Sequence, residues 1–327
     1  MNLEKLAETV SKIDSFLSSR LSGEPKDLYQ AASYLIDHGG KRLRPYMVIK
    51  SCQILGGTMK QSIPAAAAVE MVHNFTLVHD DIMDNDEVRH GVPTVHVRFG
   101  MPIGILAGDL LFSRAFETIS KPYLHKSGNV GLNLVATLAK ACTDVCEGQA
   151  LDISMAKSSK IPSEDQYIKM IEKKTSSLFV ASCAMGAISA NKDFADVTRL
   201  STFGRNLGIA FQIIDDLIGV TGNPKITKKP VGNDIREGKK SLPILMAIKK
   251  ASSQEKKIIL NAFGNSSVSK SEVERAISTI SSLGIEDTIK QKAMYHSNAA
   301  MKSILIYDGS AKNELLSLLD FVVERSL

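Results

Sequence analysis

At 327 residues and 44% hydrophobic, the chain can bury a substantial core, and its length allows one large domain or two ordinary ones. Lys and Arg exceed Asp and Glu by only 40 to 35, a net charge of +5, too mild a balance to argue for nucleic acid, where a concentrated basic stripe is expected. Four cysteines do not make a disulfide framework in a chain this long, and no Cys or His joins Cys142 and Cys146 at zinc-ligand spacing, so all four read as reduced core thiols.

Reduced thiols fit a cytoplasmic protein, and the N-terminal stretch MNLEKLAETVSKIDSFL, which mixes charges with apolar residues at helical spacing and lacks an uncharged core, does not read as a signal peptide. Leu28, Ala31, Ala32, Leu35 and Ile36 form a helical stripe that Gly39-Gly40 ends, and Pro45 suits the first turn of the next helix. Ser163 and Gln166 form a capping box for a helix running towards Asn191. The longest uncharged stretch, Thr175 to Asn191, is shorter than the ~20 apolar residues that span a bilayer. No proline occurs from Ser163 to Asn223 or from Ile244 onwards, alternating β-branched runs are scarce, and no Asn-Gly or Asp-Gly pair signals a hairpin. The fold predicted is all-α. No linker divides the chain, so residues 1–327 are expected to form one domain. Thr221 to Pro243 reads as a long loop with six basic residues and two acidic ones, which suits a role at an anionic ligand.

Two acidic helix ends carry the chemistry. In FTLVHDDIMDNDEVRHG, Asp80 and Asp84 are one turn apart, ~6 Å along the axis, and aim two carboxylates at the same space. Alone they would repel each other and oppose the helix dipole. A hard dication removes both objections, because Mg2+ takes one or two carboxylates and fills its other positions with water and phosphate oxygens. On this spacing alone a solvated acidic helix end is the commoner explanation. A second pair, Asp215-Asp216, ends the apolar run NLGIAFQIIDDLIG, where carboxylates are costly unless paired or metal-bound. Basic residues follow both clusters: Arg89 after the first, and Lys228, Lys229, Arg236, Lys239 and Lys240 after the second. The pattern suggests Mg2+ ions bridging to a polyphosphate.

GGKRLRP, Gly39 to Pro45, sets three cations in four residues after a helix stop; it lacks the GxxxxGK[ST] spacing of a Walker loop. Lys41 is a compact charge, and Arg44 offers a fork suited to phosphate oxygens.

Taken in order, GGKRLRP, DDIMD with Arg89, EGQALD, KKTSS, and FQIIDD leading to KKPVGNDIREGKKSLP resemble the trans-isoprenyl diphosphate synthases. The resemblance implies a bundle of long helices around a deep central cavity, the type I isoprenoid synthase fold, usually as a homodimer. It implies that isopentenyl diphosphate is condensed with an allylic diphosphate, with three Mg2+ ions per substrate-loaded site. By this resemblance Asp80, Asp84 and Asp215 hold the metal, and Arg89, Lys174, Lys229 and Lys239 contact the allylic diphosphate. Lys41, Arg44, His73 and His90 face isopentenyl diphosphate, while Thr175 and Gln212 flank the developing carbocation. Two positions depart from the family pattern. His90 stands where a second arginine is common, and Gly219 stands where a third aspartate is common, leaving Asp215 and Asp216 to carry the second site.

Phe75 and Thr76 lie five and four residues before Asp80, and one bulky ring beside a smaller residue resembles synthases that make the C20 product, geranylgeranyl diphosphate. Farnesyl and longer-chain products, a class I terpene cyclase and a non-catalytic partner subunit are the alternatives. The cyclase needs no second diphosphate site, and the partner subunit tends to lose acidic residues that are present here.

Overall fold

The computed structural model describes residues 3–221, 233–265 and 267–324. In chain order the helices are α1 (Leu3–Arg20), α2 (Lys26–Asp37), α3 (Leu43–Gln53), α4 (Met59–Asp84), α5 (Val95–Phe99), α6 (Met101–Ser120), α7 (Val130–Lys157) and α8 (Glu164–Ile171). A π-helical turn, Glu172–Ser176, leads into α9 (Ser177–Ser189) and α10 (Phe194–Thr221). Then come α11 (Asn233–Arg236), α12 (Leu242–Lys250), α13 (Ser253–Ala262), α14 (Lys270–Ser282), α15 (Glu286–Ser303) and α16 (Ser310–Glu324). The predicted all-α class is what the chain adopts.

The chain forms two compact units that interleave in sequence, one from Met1–Cys142, Leu178–Ser201 and Ile304–Leu315, the other from Thr143–Ser177, Thr202–Ser303 and Leu316–Leu327. In the first, α4 packs between α3 and α6. The run Ala65–Ala68 is at most 1% exposed, so small side chains let neighbouring backbones approach closely. The Thr58 N–H donates to Gln61 Oε1 at 2.8 Å, satisfying an orphan donor at the start of α4. At 26 residues this helix is about 39 Å long, and its far end carries the first acidic cluster.

A two-stranded hairpin follows, β1 (Val88–Arg89) against β2 (Val92–Pro93). His90 and Gly91 form its turn with φ of +53° and +81°, a type I′ arrangement built without the Asn-Gly or Asp-Gly pair that usually announces one. Histidine tolerates the left-handed region better than most side chains, so His-Gly serves instead.

The core of the second unit joins Tyr167 and Met170 of α8, Ile209, Ile213 and Leu217 of α10, and apolar residues of α11 to α15. The expected Ser163 capping box opens α8: Gln166 N–H donates to Ser163 Oγ at 3.2 Å, and Ser163 N–H to Gln166 Oε1 at 2.8 Å. The helix does not run unbroken towards Asn191, because the π turn interrupts it. The stretch expected as loop contains the helical turn α11, and α12 begins before its end. Of the four thiols, Cys52, Cys142 and Cys183 are buried as expected, whereas Cys146 is exposed on α7. Among the described residues no helix is long and apolar enough to cross a membrane.

Candidate active site

In the first unit, Gly39 and Gly40 (φ +117° and +123°) end α2 and open the cationic turn. Arg42, itself left-handed and 5% exposed, folds back as a staple. Its Nε donates to Asp14 at 2.8 Å, its Nη1 to Glu70 at 3.0 Å and its Nη2 to the Ile36 carbonyl at 2.5 Å. Of the three cations, the middle one is therefore structural. Lys41 is left exposed on the turn and Arg44 stands in the first turn of α3.

Arg44 lies 4.6 Å over the ring of Phe179, with Nη1 3.2 Å from Nε2 of His73. A guanidinium has only donors, so Nε2 must accept. Burial, and then the charge of Arg44, hold His73 well below its ordinary pKa, which keeps the ring neutral for that bond. Two of the residues expected at isopentenyl diphosphate are thus joined. His90, the fourth, is exposed at the hairpin tip.

At the end of α4, Asp80 is half-buried and Asp84 exposed. Asp81 lies on the core stripe Ala67, Met71, Asn74, Val78 and is 0% exposed. Arg89, delivered by β1, donates from Nε to Asp81 Oδ1 at 2.5 Å and sets Nη2 3.6 Å from Asp86. Burial raises the Asp81 pKa and Arg89 opposes it. The arginine expected at the allylic diphosphate is therefore oriented by a buried carboxylate. The sequence signal for Asp81 is its register, a carboxylate at a core position. One turn earlier, the ring of Phe75 packs edge-on against His79 at 4.7 Å and lies 5.2 Å from Phe112 of α6. Thr76 Oγ1 donates back to the His73 carbonyl at 2.7 Å.

In the second unit the π turn carries Lys173, Lys174 and Thr175. An ideal Cβ on Gly148 would lie 2.2 Å from the Lys174 nitrogen, and one on Gly208 would lie 2.7 Å from the Ser176 Cα, so glycines are needed where α7 and α10 approach this backbone. Lys174 pairs with Asp152 at 2.5 Å, and Lys173 pairs with Asp144 at 2.8 Å and with Glu147. EGQALD thus supplies a glycine socket and two carboxylates that hold the turn. A π turn is a frequent mark of functional sites.

Asp215 is half-buried, whereas Asp216 is 2% exposed. Asp216 accepts from the Tyr167 hydroxyl at 2.8 Å and from Gln212 Nε2 at 2.7 Å, with Lys239 Nζ 3.5 Å away. Gln212 Oε1 in turn accepts from Thr175 Oγ1 at 2.7 Å. Thr175, Gln212 and Lys239, separate in sequence, therefore belong to one network centred on Asp216. Asp216, with Asp234 and Asp152 adding to it, raises the Lys239 pKa and keeps the amine charged. Both DD pairs divide alike: the second carboxylate is buried beside a cation, and the first is half-buried.

Gly219 has a positive reason to lack a side chain. A Cβ there would lie 2.4 Å from Oδ2 of Asp234, which sits 3.8 Å from Lys239. The space of the missing third aspartate is taken by a carboxylate from α11. Lys228 and Lys229 lie outside the described residues.

Among the described residues no three His, Cys, Asp or Glu side chains converge as a metal cage. Magnesium does not require one, since water and phosphate complete its octahedron around one or two carboxylates. The donor chemistry of Asp80, Asp84 and Asp215 fits that ion.

The polyprenyl synthetase family model matches residues 25–280. A geranylgeranyl diphosphate synthase of Sulfolobus acidocaldarius is 40% identical over 292 residues, covering 89% of this chain and 88% of that protein. A geranylfarnesyl diphosphate synthase of Aeropyrum pernix is 38% identical, covering 96% of this chain and 99% of its own. Among solved structures, geranylgeranyl pyrophosphate synthetase from Pyrococcus horikoshii superposes with a TM-score of 0.90 at 38% identity, covering 99% of both chains. The all-α fold is that of the isoprenoid synthases. The chain belongs to the polyprenyl synthetase family and is an isoprenyl diphosphate synthase, a transferase of prenyl groups.

Proposed function

We propose that the chain condenses isopentenyl diphosphate with allylic diphosphates, head to tail, to make geranylgeranyl diphosphate. The observation that carries this reading is the shared division of the two DD pairs, each with a buried carboxylate beside a cation and a half-buried carboxylate next to it. Asp80, Asp84 and Asp215 would hold Mg2+, three ions with substrate bound. Magnesium supplies electrostatic stabilisation of the diphosphate leaving group.

Ionising the allylic C–O bond leaves diphosphate and a delocalised cation. Arg89, Lys174 and Lys239 face the anion in this reading, with Lys229 assigned to the same group, and fixed positive charges there favour the separated state. Arg44, supported by neutral His73, and Lys41 hold isopentenyl diphosphate so that its double bond meets the cation, with His90 assigned to the same substrate. Thr175 and Gln212 flank the cation with oxygen lone pairs. Phe75, braced by Phe112, stops the growing chain beside Thr76. The whole chain acts as one functional domain.

A homodimer in the cytoplasm belongs to the same reading. Val97, Met101, Ile105 and Leu106 are 43–50% exposed on α5 and α6 and offer an apolar face to a second copy, and the buried, reduced thiols suit a reducing compartment. A longer product is the second reading, favoured by the resemblance to a geranylfarnesyl synthase.

The test is incubation of the purified chain with Mg2+, labelled isopentenyl diphosphate and each allylic starter, with products separated by chain length. A dominant C20 product is expected. Release of a hydrocarbon from a single substrate, or no incorporation, would overturn the reading.

A further inference from the structure

Tyr167 is fully buried in the middle of α8, in the core around Ile213 and Leu217. Its hydroxyl donates to Oδ2 of Asp216 at 2.8 Å, while Oδ1 accepts from Gln212 Nε2 at 2.7 Å and lies 3.5 Å from Lys239 Nζ. Among the described residues, the groups hydrogen-bonded or ion-paired to this carboxylate are all donors, so Asp216 accepts at both oxygens. That fixes the sense of the Gln212 amide: its NH2 faces Asp216 and its Oε1 faces Thr175. The Thr175 hydroxyl must then donate to Oε1, as the 2.7 Å contact shows. With its one proton engaged, Thr175 Oγ1 has only lone pairs left to offer.

We propose that Tyr167 is a positioning residue that sets the polarity of Thr175 through Asp216 and Gln212. The proposal rests on the reading above, in which Thr175 and Gln212 flank an allylic cation. A threonine hydroxyl free to rotate could turn its proton towards that cation and oppose it. The relay removes this freedom before substrate arrives, which is preorganisation of the kind that lowers a charge-separating barrier. Without the Tyr167 hydroxyl, Oδ2 loses its donor in a core site. The 3.5 Å lysine contact to the other oxygen does not replace it. The carboxylate can then turn, and the amide of Gln212 is no longer held in one sense.

The test is a double-mutant cycle on the full-length chain with Tyr167→Phe, Thr175→Val and the pair, measuring kcat and both KM values with isopentenyl diphosphate and an allylic starter. Losing one hydrogen bond to a charged acceptor predicts a fall in kcat of about tenfold or more for Tyr167→Phe, with KM changed by less than about twofold. In the Thr175→Val background the same change should cost less than about twofold, because the relay has lost its end. An equal fall in both backgrounds, as core loosening would give, or no fall at all, overturns the proposal. Should Tyr167→Phe fail to fold, Asp216→Asn takes its place in a Lys239→Gln background, so that the loss of that lysine's charge partner is not read as part of the relay. An asparagine can invert the Gln212 amide, and its effect should likewise vanish in the Thr175→Val background; persistence there overturns the relay. Wild-type kcat in Thr175→Val itself would instead sink the role given to Thr175, whereas an impaired Thr175→Val with additive effects sinks the role of Tyr167 alone.

Discussion

Arg89 donates through Nε to the fully buried carboxylate of Asp81 at 2.5 Å, so the cation that follows the first acidic helix end is anchored by the half of the DD pair that faces the core. Removing one partner of a buried pair leaves the other charge uncompensated, at a cost of about 3–5 kcal/mol. Arg89→Ala should therefore lower unfolding stability in urea by about that amount. Arg89→Ala with Asp81→Asn should recover at least about half, since the orphaned charge has gone. Additive losses would show that the two residues do not act as a pair.

His73 gives a pH dependence of stability. Its folded pKa lies well below the unfolded value of 6.5, through burial and then Arg44, so the unfolded chain binds the proton first as pH falls. The contribution is intact above about pH 6.5 and declines below it, by up to about 1.4 kcal/mol per pH unit until the folded ring titrates. His73→Gln, which keeps an acceptor for Arg44, should flatten the fall in stability between pH 7.5 and 5. An unchanged slope would mean that His73 does not titrate in this window.

Phe75 meets Phe112 at 5.2 Å, two rings from adjacent helices α4 and α6. Phe75→Ala removes one ring of this contact and should lengthen the main product by one or more five-carbon units, read by chromatography. An unchanged product distribution would remove Phe75 as the stop.

Gly219→Asp, which restores the commoner family residue, should be harmful here. Its Cβ would press within 2.4 Å of the Asp234 carboxylate and add a like charge beside it. A loss of about 1–3 kcal/mol is expected from the crowding, partly relieved by Asp234→Ala in the same chain. Neutral behaviour in a thermal melt would show that Asp234 moves aside freely.

The elements were legible where one residue type does one physical job. The stripe from Leu28 to Ile36, the Gly39-Gly40 stop and the Ser163 capping box all stand as expected, because apolar spacing, positive φ and orphan N–H groups have direct sequence marks. The π turn was not legible, since what permits it is Gly148 and Gly208 approaching from other helices. The hairpin escaped because His90-Gly91 does the work of Asn-Gly. Within the candidate site, the residue types of the motifs could be read, but not their division of labour. That Arg42 staples the turn while Arg44 meets His73, or that Asp81 and Asp216 face inward, depends on the register of α4 and α10 against the core. Register was available in the spacing of Asn74, Val78 and Asp81, and of Ile209, Ile213 and Asp216. Tyr167 carried no local mark at all, because its partner lies 49 positions away.

In the proposed reaction both acidic helix ends serve one leaving group. The direct measurement is a crystal structure of the chain with Mg2+ and an allylic thiolodiphosphate that cannot ionise. Metal ions on a single diphosphate are expected, ligated by Asp80 and Asp84 from one helix end and by Asp215 from the other. A diphosphate gripped from one cluster alone, with Asp215 opening onto a different face of the molecule, would contradict the proposed reaction.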